Sequence, residues 1–179
     1  MRNIFIASLL FFACHMAQAQ AYASSVELTG GYVEDGFGGY INYNHHLDRR
    51  SHLQFGVFVG ISNDSSTGEE IPYNIFTFNP GYFRKLISTN SRKPITLNIG
   101  GGGIIGYEVI NNGSNELPSG AILNAKSQLI YGAFAGLEVE YAMKENLSLN
   151  LKAVEQYHPN SDIGEFYPFV GIGLRYYLF

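Results

Sequence analysis

From Val26 to the C-terminus, apolar residues recur at every second position, and a period of two marks extended chain with two unlike faces. Leu53, Phe55, Val57, Val59 and Ile61 share one parity, with Gln54, Gly56, Gly60 and Ser62 between them. Ile95, Leu97, Ile99, Ile105 and Tyr107 alternate with Thr96, Asn98, Gly100, Gly102, Gly106 and Glu108. Leu147, Leu149 and Leu151 alternate with Ser148, Asn150 and Lys152; Val170, Ile172, Leu174, Tyr176 and Leu178 alternate with Gly171, Gly173 and Arg175. Stretch 131–141 sets Tyr131, Ala133, Ala135, Leu137, Val139 and Tyr141 against Gly132, Gly136, Glu138 and Glu140. Val26, Leu28 and Tyr32 stand against Glu27 and Thr29, and Ile41 and Tyr43 against Tyr40, Asn42 and Asn44. The pattern predicts eight strands, over 25–33, 37–48, 51–63, 71–85, 93–109, 121–141, 145–157 and 166–179.

Strands of this length suit tilted membrane-crossing strands, and an even number returns both termini to one side. The expected fold is therefore all-β, an eight-stranded antiparallel up-and-down outer-membrane-type β-barrel. Its ends differ in charge. Glu34, Asp35, Asp64, Glu69, Glu70, Glu116, Asp162 and Glu165 fall in one set of connections, and Arg49, Arg50, Arg84, Lys85, Arg92, Lys93 and Lys144 in the other. The competing architecture is a soluble barrel of the lipocalin type, apolar within and polar without. The mid-strand charges decide between them. Glu27, Glu108, Glu138, Glu140, Lys152 and Arg175 all lie on the glycine-rich parity, where a narrow membrane barrel points them inward as a lumen charge network, with glycine making room.

The N-terminus adds a destination. Arg2, the apolar run from Ile4 to Ala13 and Ala17-Gln18-Ala19 are the three parts of a secretory signal peptide, so cleavage is expected after Ala19, with the barrel domain over 20–179. The apolar run is too short to span as a helix, and no later window reaches the roughly 18 apolar residues of a transmembrane helix. The only cysteine, Cys14, lies within this leader; Phe11-Phe12-Ala13 before it fits a lipidation signal poorly. The sequence has 13 Tyr, 13 Phe and 21 Gly but no Trp, with a net charge of −4, a composition of strands more than of a soluble enzyme. The chain ends in Phe179, yet its alternation places that residue on the polar parity.

No catalytic or cofactor site is expected. The run Gly100 to Gly103 is not followed by Gly-Lys-Ser/Thr or by a helix, so it is no phosphate loop. His45, His46 and His52 lack cysteine partners, and adjacent histidines on a strand point to opposite faces, so no metal site is expected. His158, Ser161 and Asp162 cluster in one connection, as hydroxyl–imidazole hydrolases require, but proximity in a loop is not triad geometry, and a polar loop tip is the plainer reading. Glu138 and Glu140 could be paired acids; with Lys152 and Arg175 on neighbouring strands they fit an ion-pair network better. Eight strands leave no open pore, so neither a diffusion channel nor a small-molecule substrate is expected. Acidic outer loops argue against direct nucleic-acid binding there.

Several sequence steps occur in a telling order: Ile71-Pro72 followed by Gly81-Tyr82-Phe83; Gly106-Tyr107-Glu108 with Asn111; Gly120-Ala121 with Asn124 and Lys126; Tyr131-Gly132 leading to Glu138 and Glu140; and Phe169-x-Gly171-x-Gly173-Leu174. In these the chain resembles the TraO family of conjugal transfer proteins of conjugative transposons. It departs from that pattern in ending with Phe179 where similar proteins finish in Asn, in its own His45-His46, and in a shorter lead-in before Val26. The resemblance implies a non-enzymatic outer-membrane component of a conjugative DNA-transfer apparatus, whose partners are outer-membrane lipid and other transfer proteins. It carries no catalytic residue across. The alternatives are a general small outer-membrane barrel with a structural or adhesive role, and an outer-membrane hydrolase.

Overall fold

The computed structural model describes residues 24–64, 71–90, 92–114, 125–162 and 164–178. The proposed leader, Glu69, Glu70, Glu116, Phe179 and the Gly120-Ala121 and Asn124 positions lie outside these residues. Eight strands follow in order: β1 Ser24–Val33, β2 Gly36–His46, β3 Ser51–Asp64, β4 Ile71–Ser88, β5 Ile95–Ile110, β6 Gln128–Lys144, β7 Leu147–Tyr157 and β8 Phe166–Leu178. Each pairs antiparallel with the next, and β8 returns to β1, so the sheet closes into an up-and-down barrel with no free edge. Closure leaves every strand with a neighbour on both sides, the condition for a sheet to sit in hydrocarbon, where no water can satisfy an open edge.

The two parities separate as the sequence predicts. Leu28, Ile41, Val57, Ile105, Leu129 and Ile172 all point outward and stand more than half exposed. Glu27, Asn42, Gln54, Glu138, Asn150, Lys152 and Arg175 point into the lumen and are buried. An exterior of aliphatic side chains around a polar interior is the inverse of a lipocalin, and it rules out the soluble-barrel alternative. The outer wall is further ordered along its height. Tyr43, Phe55, Tyr82, Tyr141 and Tyr176 ring the end that carries the termini, and Tyr32, Phe37, Phe76, Tyr107 and Phe166 ring the other, all exposed. Rings of adjacent strands meet within these girdles, Tyr32 with Phe37 at 5.1 Å and Tyr157 with Phe166 at 5.1 Å. Two aromatic belts bordering an aliphatic band match the two interfaces of a bilayer.

Glycines set the lumen's packing. A Cβ at Gly100 would lie 2.4 Å from the Phe83 ring, one at Gly38 would lie 2.8 Å from Phe58, and one at Gly81 would lie 2.6 Å from Phe134. At these three inward positions an aromatic ring occupies the space a side chain would take. The four-glycine run splits between faces as expected, and an added Cβ at outward Gly103 would meet nothing closer than 4.0 Å.

Element boundaries differ from expectation by three residues or more at three places. β6 begins at Gln128, not 121, because its partner β5 ends at Ile110 and the chain then enters a short 3-10 turn, with Asn111 and Asn112 in the left-handed region at φ 47° and 52°. Beyond Glu108↔Gln128 there is no ladder left to join. At the other end β6 runs on to Lys144 through a register shift after Ala142, which shortens the turn to Glu145–Asn146. β4 likewise reaches Ser88 past an irregularity between Lys85 and Ile87.

Ile172 lies mid-strand on the aliphatic band, so an arginine there would place a guanidinium near the bilayer midplane. I172R is expected to cost about 2–4 kcal/mol in urea titrations of folding into lipid vesicles. A loss below about 0.5 kcal/mol would contradict the lipid-facing assignment.

Candidate functional site

The lumen is stratified, and three layers account for the polar residues singled out from sequence. The middle layer is ionic. Glu27 of β1 and Arg175 of β8 are direct cross-strand partners, as are Glu138 of β6 and Lys152 of β7. Because all four project inward at one height, the pairs also reach across the lumen to each other. Arg175 Nη2 bonds Glu27 Oε2 and lies 2.8 Å from Glu138 Oε2. Lys152 Nζ lies 3.0 Å from Glu27 Oε1 and 2.8 Å from Glu138 Oε1.

Neutral donors and acceptors complete the shell. Asn42 Nδ2 donates to Glu27 Oε1 at 2.9 Å, Asn150 Nδ2 to Oε2 at 2.8 Å, and Lys152 Nζ to Gln54 Oε1 at 2.7 Å. The ammonium also sits over the Tyr40 and Phe83 rings, 5.4 and 5.5 Å from their centroids. Such saturation is what makes buried charge tolerable, because the desolvation of each ion is repaid only by several good contacts. The layer is a plug of mutually paired charges.

Glu140 closes the network toward the terminus-bearing end, accepting from Arg175 Nη1 at 3.1 Å and from the Tyr177 hydroxyl. Tyr177 therefore points inward, in keeping with the polar parity read for the end of the chain. Glu108 is the exception among the six charged positions. It stands apart from the cluster, near the opposite mouth, and meets no cation within 4 Å among the described residues. Its carboxylate accepts instead from Ser161 Oγ at 2.8 Å, Gln128 Nε2 at 3.0 Å and Tyr73 Oη at 3.2 Å. Sequence parity could place Glu108 inside the barrel, but height along the barrel depends on register, which parity does not give.

Between these layers lies an aromatic one. Tyr40 and Phe58 sit 4.5 Å apart, Phe58 and Phe169 meet edge-on at 5.6 Å, and Tyr73 and Tyr167 meet edge-on at 5.8 Å. Alternation alone hid these inward rings, because aromatics occupy both parities of this chain. A signal that could have found three of them is the glycine against the ring: Gly38 and Gly60 at Phe58, Gly60 at Tyr167 and Gly171 at Phe169.

The loop cluster of His158, Ser161 and Asp162 folds onto the Glu108 layer. The Ser161 hydroxyl donates to the carboxylate, and the Asp162 backbone N–H approaches it at 3.4 Å. His158 is buried, and neither ring nitrogen has a hydrogen-bond partner among the described residues. No imidazole is thus aligned on the serine, which tells against the hydrolase reading. The histidine pair behaves similarly: His46 and His52 face each other with ring centroids 5.3 Å apart, and among the described residues no group of ligands could hold a metal.

Two outcomes test these layers. K152M removes one of two cations among three carboxylates, and breaking a buried pair from one side is expected to lower stability by about 3–5 kcal/mol, whereas K152M/E138Q regains part of it. Urea midpoints of the folded, heat-modifiable species report both; a double variant less stable than the single one contradicts the charge-balance account. Burial pushes the His158 imidazole down to about 4, from an ordinary value near 6.5. The folded state then binds fewer protons than the unfolded one, so this residue's contribution is full above pH 6.5 and is lost as pH falls toward 4. Ring-resonance titration by NMR should give a midpoint near 4, and one near 6.5 would show the ring to be solvated.

Solved structures share this architecture. Neisserial surface protein A matches with a TM-score of 0.61 at 9% identity, covering 89% of this chain and 98% of that one. A major outer membrane protein from Thermus thermophilus matches at 0.60 and 15% identity, over 87% and 98% of the two chains. The N-terminal β-barrel domain of Pseudomonas aeruginosa OprF matches at 0.56 and 14%, over 87% and 96%. At such identities the likeness is one of fold. No curated protein sequence matches the chain. The family model for conjugative transposon protein TraO matches residues 17–178, nearly the whole sequence, and the chain belongs to that family.

Proposed function

We propose that this protein is a non-enzymatic outer-membrane component of a conjugative mating apparatus, held in the membrane by its girdled wall and contacting other transfer proteins through its connections. Family membership across 17–178 is the observation that carries this reading. The plugged lumen supports it from the other direction. A barrel whose interior is filled by ion pairs and aromatic rings has nothing to conduct, so its contribution lies in anchoring and contact.

The reading also sets an orientation. The connections at the terminus-bearing end, 47–50, 89–94 and 145–146, are shorter overall than those opposite, which include 111–127 and 158–165. Short turns face the periplasm in barrels of this type, which puts the basic turns there and the acidic loops outside. Export through a leader cleaved after Ala19 completes the path.

Deleting the gene from its element is expected to cut transfer to recipients sharply, and an intact copy in trans to restore it. The complementing protein, recovered from outer-membrane fractions, should begin at Gln20 by intact mass. Unimpaired transfer would favour a general structural or adhesive barrel instead, and recovery in the soluble periplasm would overturn the membrane assignment.

A further inference from the structure

The barrel is closed unequally. At the acidic end the connection after β7 is bonded down onto Glu108, and the aromatic and ionic layers fill the lumen below it. At the terminus-bearing end a cavity of about 730 Å³ remains, bounded below by Arg175 and Glu140. Its volume falls within the range of sites that take small ligands or short segments, roughly 300–1,000 Å³.

Arg49, Arg50, Lys85 and Lys144 line its mouth, and none of the four is in an ion pair within 4 Å among the described residues. Asp48 and Glu145 share the rim, but the Asp48 carboxylate already accepts the Arg50 backbone N–H at 2.6 Å. Arg50 is in turn tied to the wall, its carbonyl accepting the Lys85 N–H at 2.7 Å, so this part of the rim is built and not free. Deeper in, His52 lines the cavity while nearly fully buried, its Nε2 without a hydrogen-bond partner among the described residues and 4.0 Å from Glu138 Oε2. Thr96, Asn98 and Ser148 supply further polar groups on the walls.

We propose that this cup binds an acidic peptide segment of a periplasmic partner protein. The orientation, and so the compartment of the partner, rests on the function proposed above. Four unpaired cations around one concavity select an anion. An eight-stranded lumen just admits side chains or one small ligand, which is too narrow for a nucleic-acid duplex. Single strands are favoured by free stacking platforms, and the tyrosine lining the cup, Tyr177, already stacks on His46 with ring centroids 5.4 Å apart. A lipid headgroup would be met from outside the wall, where Arg84 stands exposed, whereas these four cations surround the mouth of the cup. An extended polypeptide is thin enough, and wall hydroxyls and amides suit its backbone. Carboxylate-bearing segments read by clustered Arg and Lys are a recurring mode of peptide recognition.

The test uses the full chain in detergent micelles and fluorescein-labelled hexaglutamate, read by anisotropy. Saturable binding is expected, falling about tenfold or more in R50E/K144E and weakening as salt rises from about 0.05 to 0.5 M. Hexaglutamine should bind far more weakly. Both substituted residues are exposed at the turns, and retained heat-modifiable migration of the variant confirms that it is folded. Absent saturable binding, equal binding by the double variant, or oligothymidylate binding as tightly as hexaglutamate would each overturn the proposal. Loss of transfer on gene deletion with no hexaglutamate binding would refute the cup and leave the conjugative role standing; binding with unimpaired transfer would do the reverse.

Discussion

The contact between Glu27 and Arg175 sits where the barrel closes. These residues are register partners on the first and last strands, so the seam of the sheet and the heart of the ionic layer coincide. The same guanidinium reaches Glu138 and Glu140 on β6, and the same carboxylate meets Lys152 on β7. One cluster thereby ties four of the eight strands through their side chains, besides the backbone ladders that join neighbours. A lumen this narrow cannot hold such charges with water, and so the surrounding Asn42, Gln54 and Asn150 are as much a part of the seam as the ions.

Most of this was legible from alternation. Period two assigned Glu27, Glu138, Glu140, Lys152 and Arg175 to one face, and the mixture of charge and glycine on that face made the inward reading the better one. What alternation could not give was height. Glu108 shares their parity yet lies in another layer, because the offset between β5 and β6 fixes its level and only pairing reveals that offset. Phe58, Phe83 and Phe169, which join Tyr40 inside the barrel, were missed for a related reason: an aromatic ring is at home on either face of a membrane strand. Boundaries failed where the chain leaves the ladder through left-handed Asn111 and Asn112 or through a bulge, since neither changes the apolar rhythm.

The two ends of the molecule follow different physics. The acidic end is sealed by hydrogen bonds to a single buried carboxylate, which draws loop residues 161 and 162 down over the lumen. The basic end keeps its polar side chains around open volume. A family tied to conjugative transposons and a fold shared with outer-membrane barrels agree on a conjugation-associated barrel protein.

The seam has a further implication, for the order of assembly. Glu27 and Arg175 are 148 residues apart in sequence, and one of the two cations that meet the first strand's carboxylate is carried by the last strand made. Until β8 arrives, a growing sheet exposes both an unpaired backbone edge and a partly compensated acidic interior, and neither is tolerable in hydrocarbon. A chain cut short before Arg175 lacks both the strand that closes the sheet and the guanidinium that meets Glu27 and Glu138.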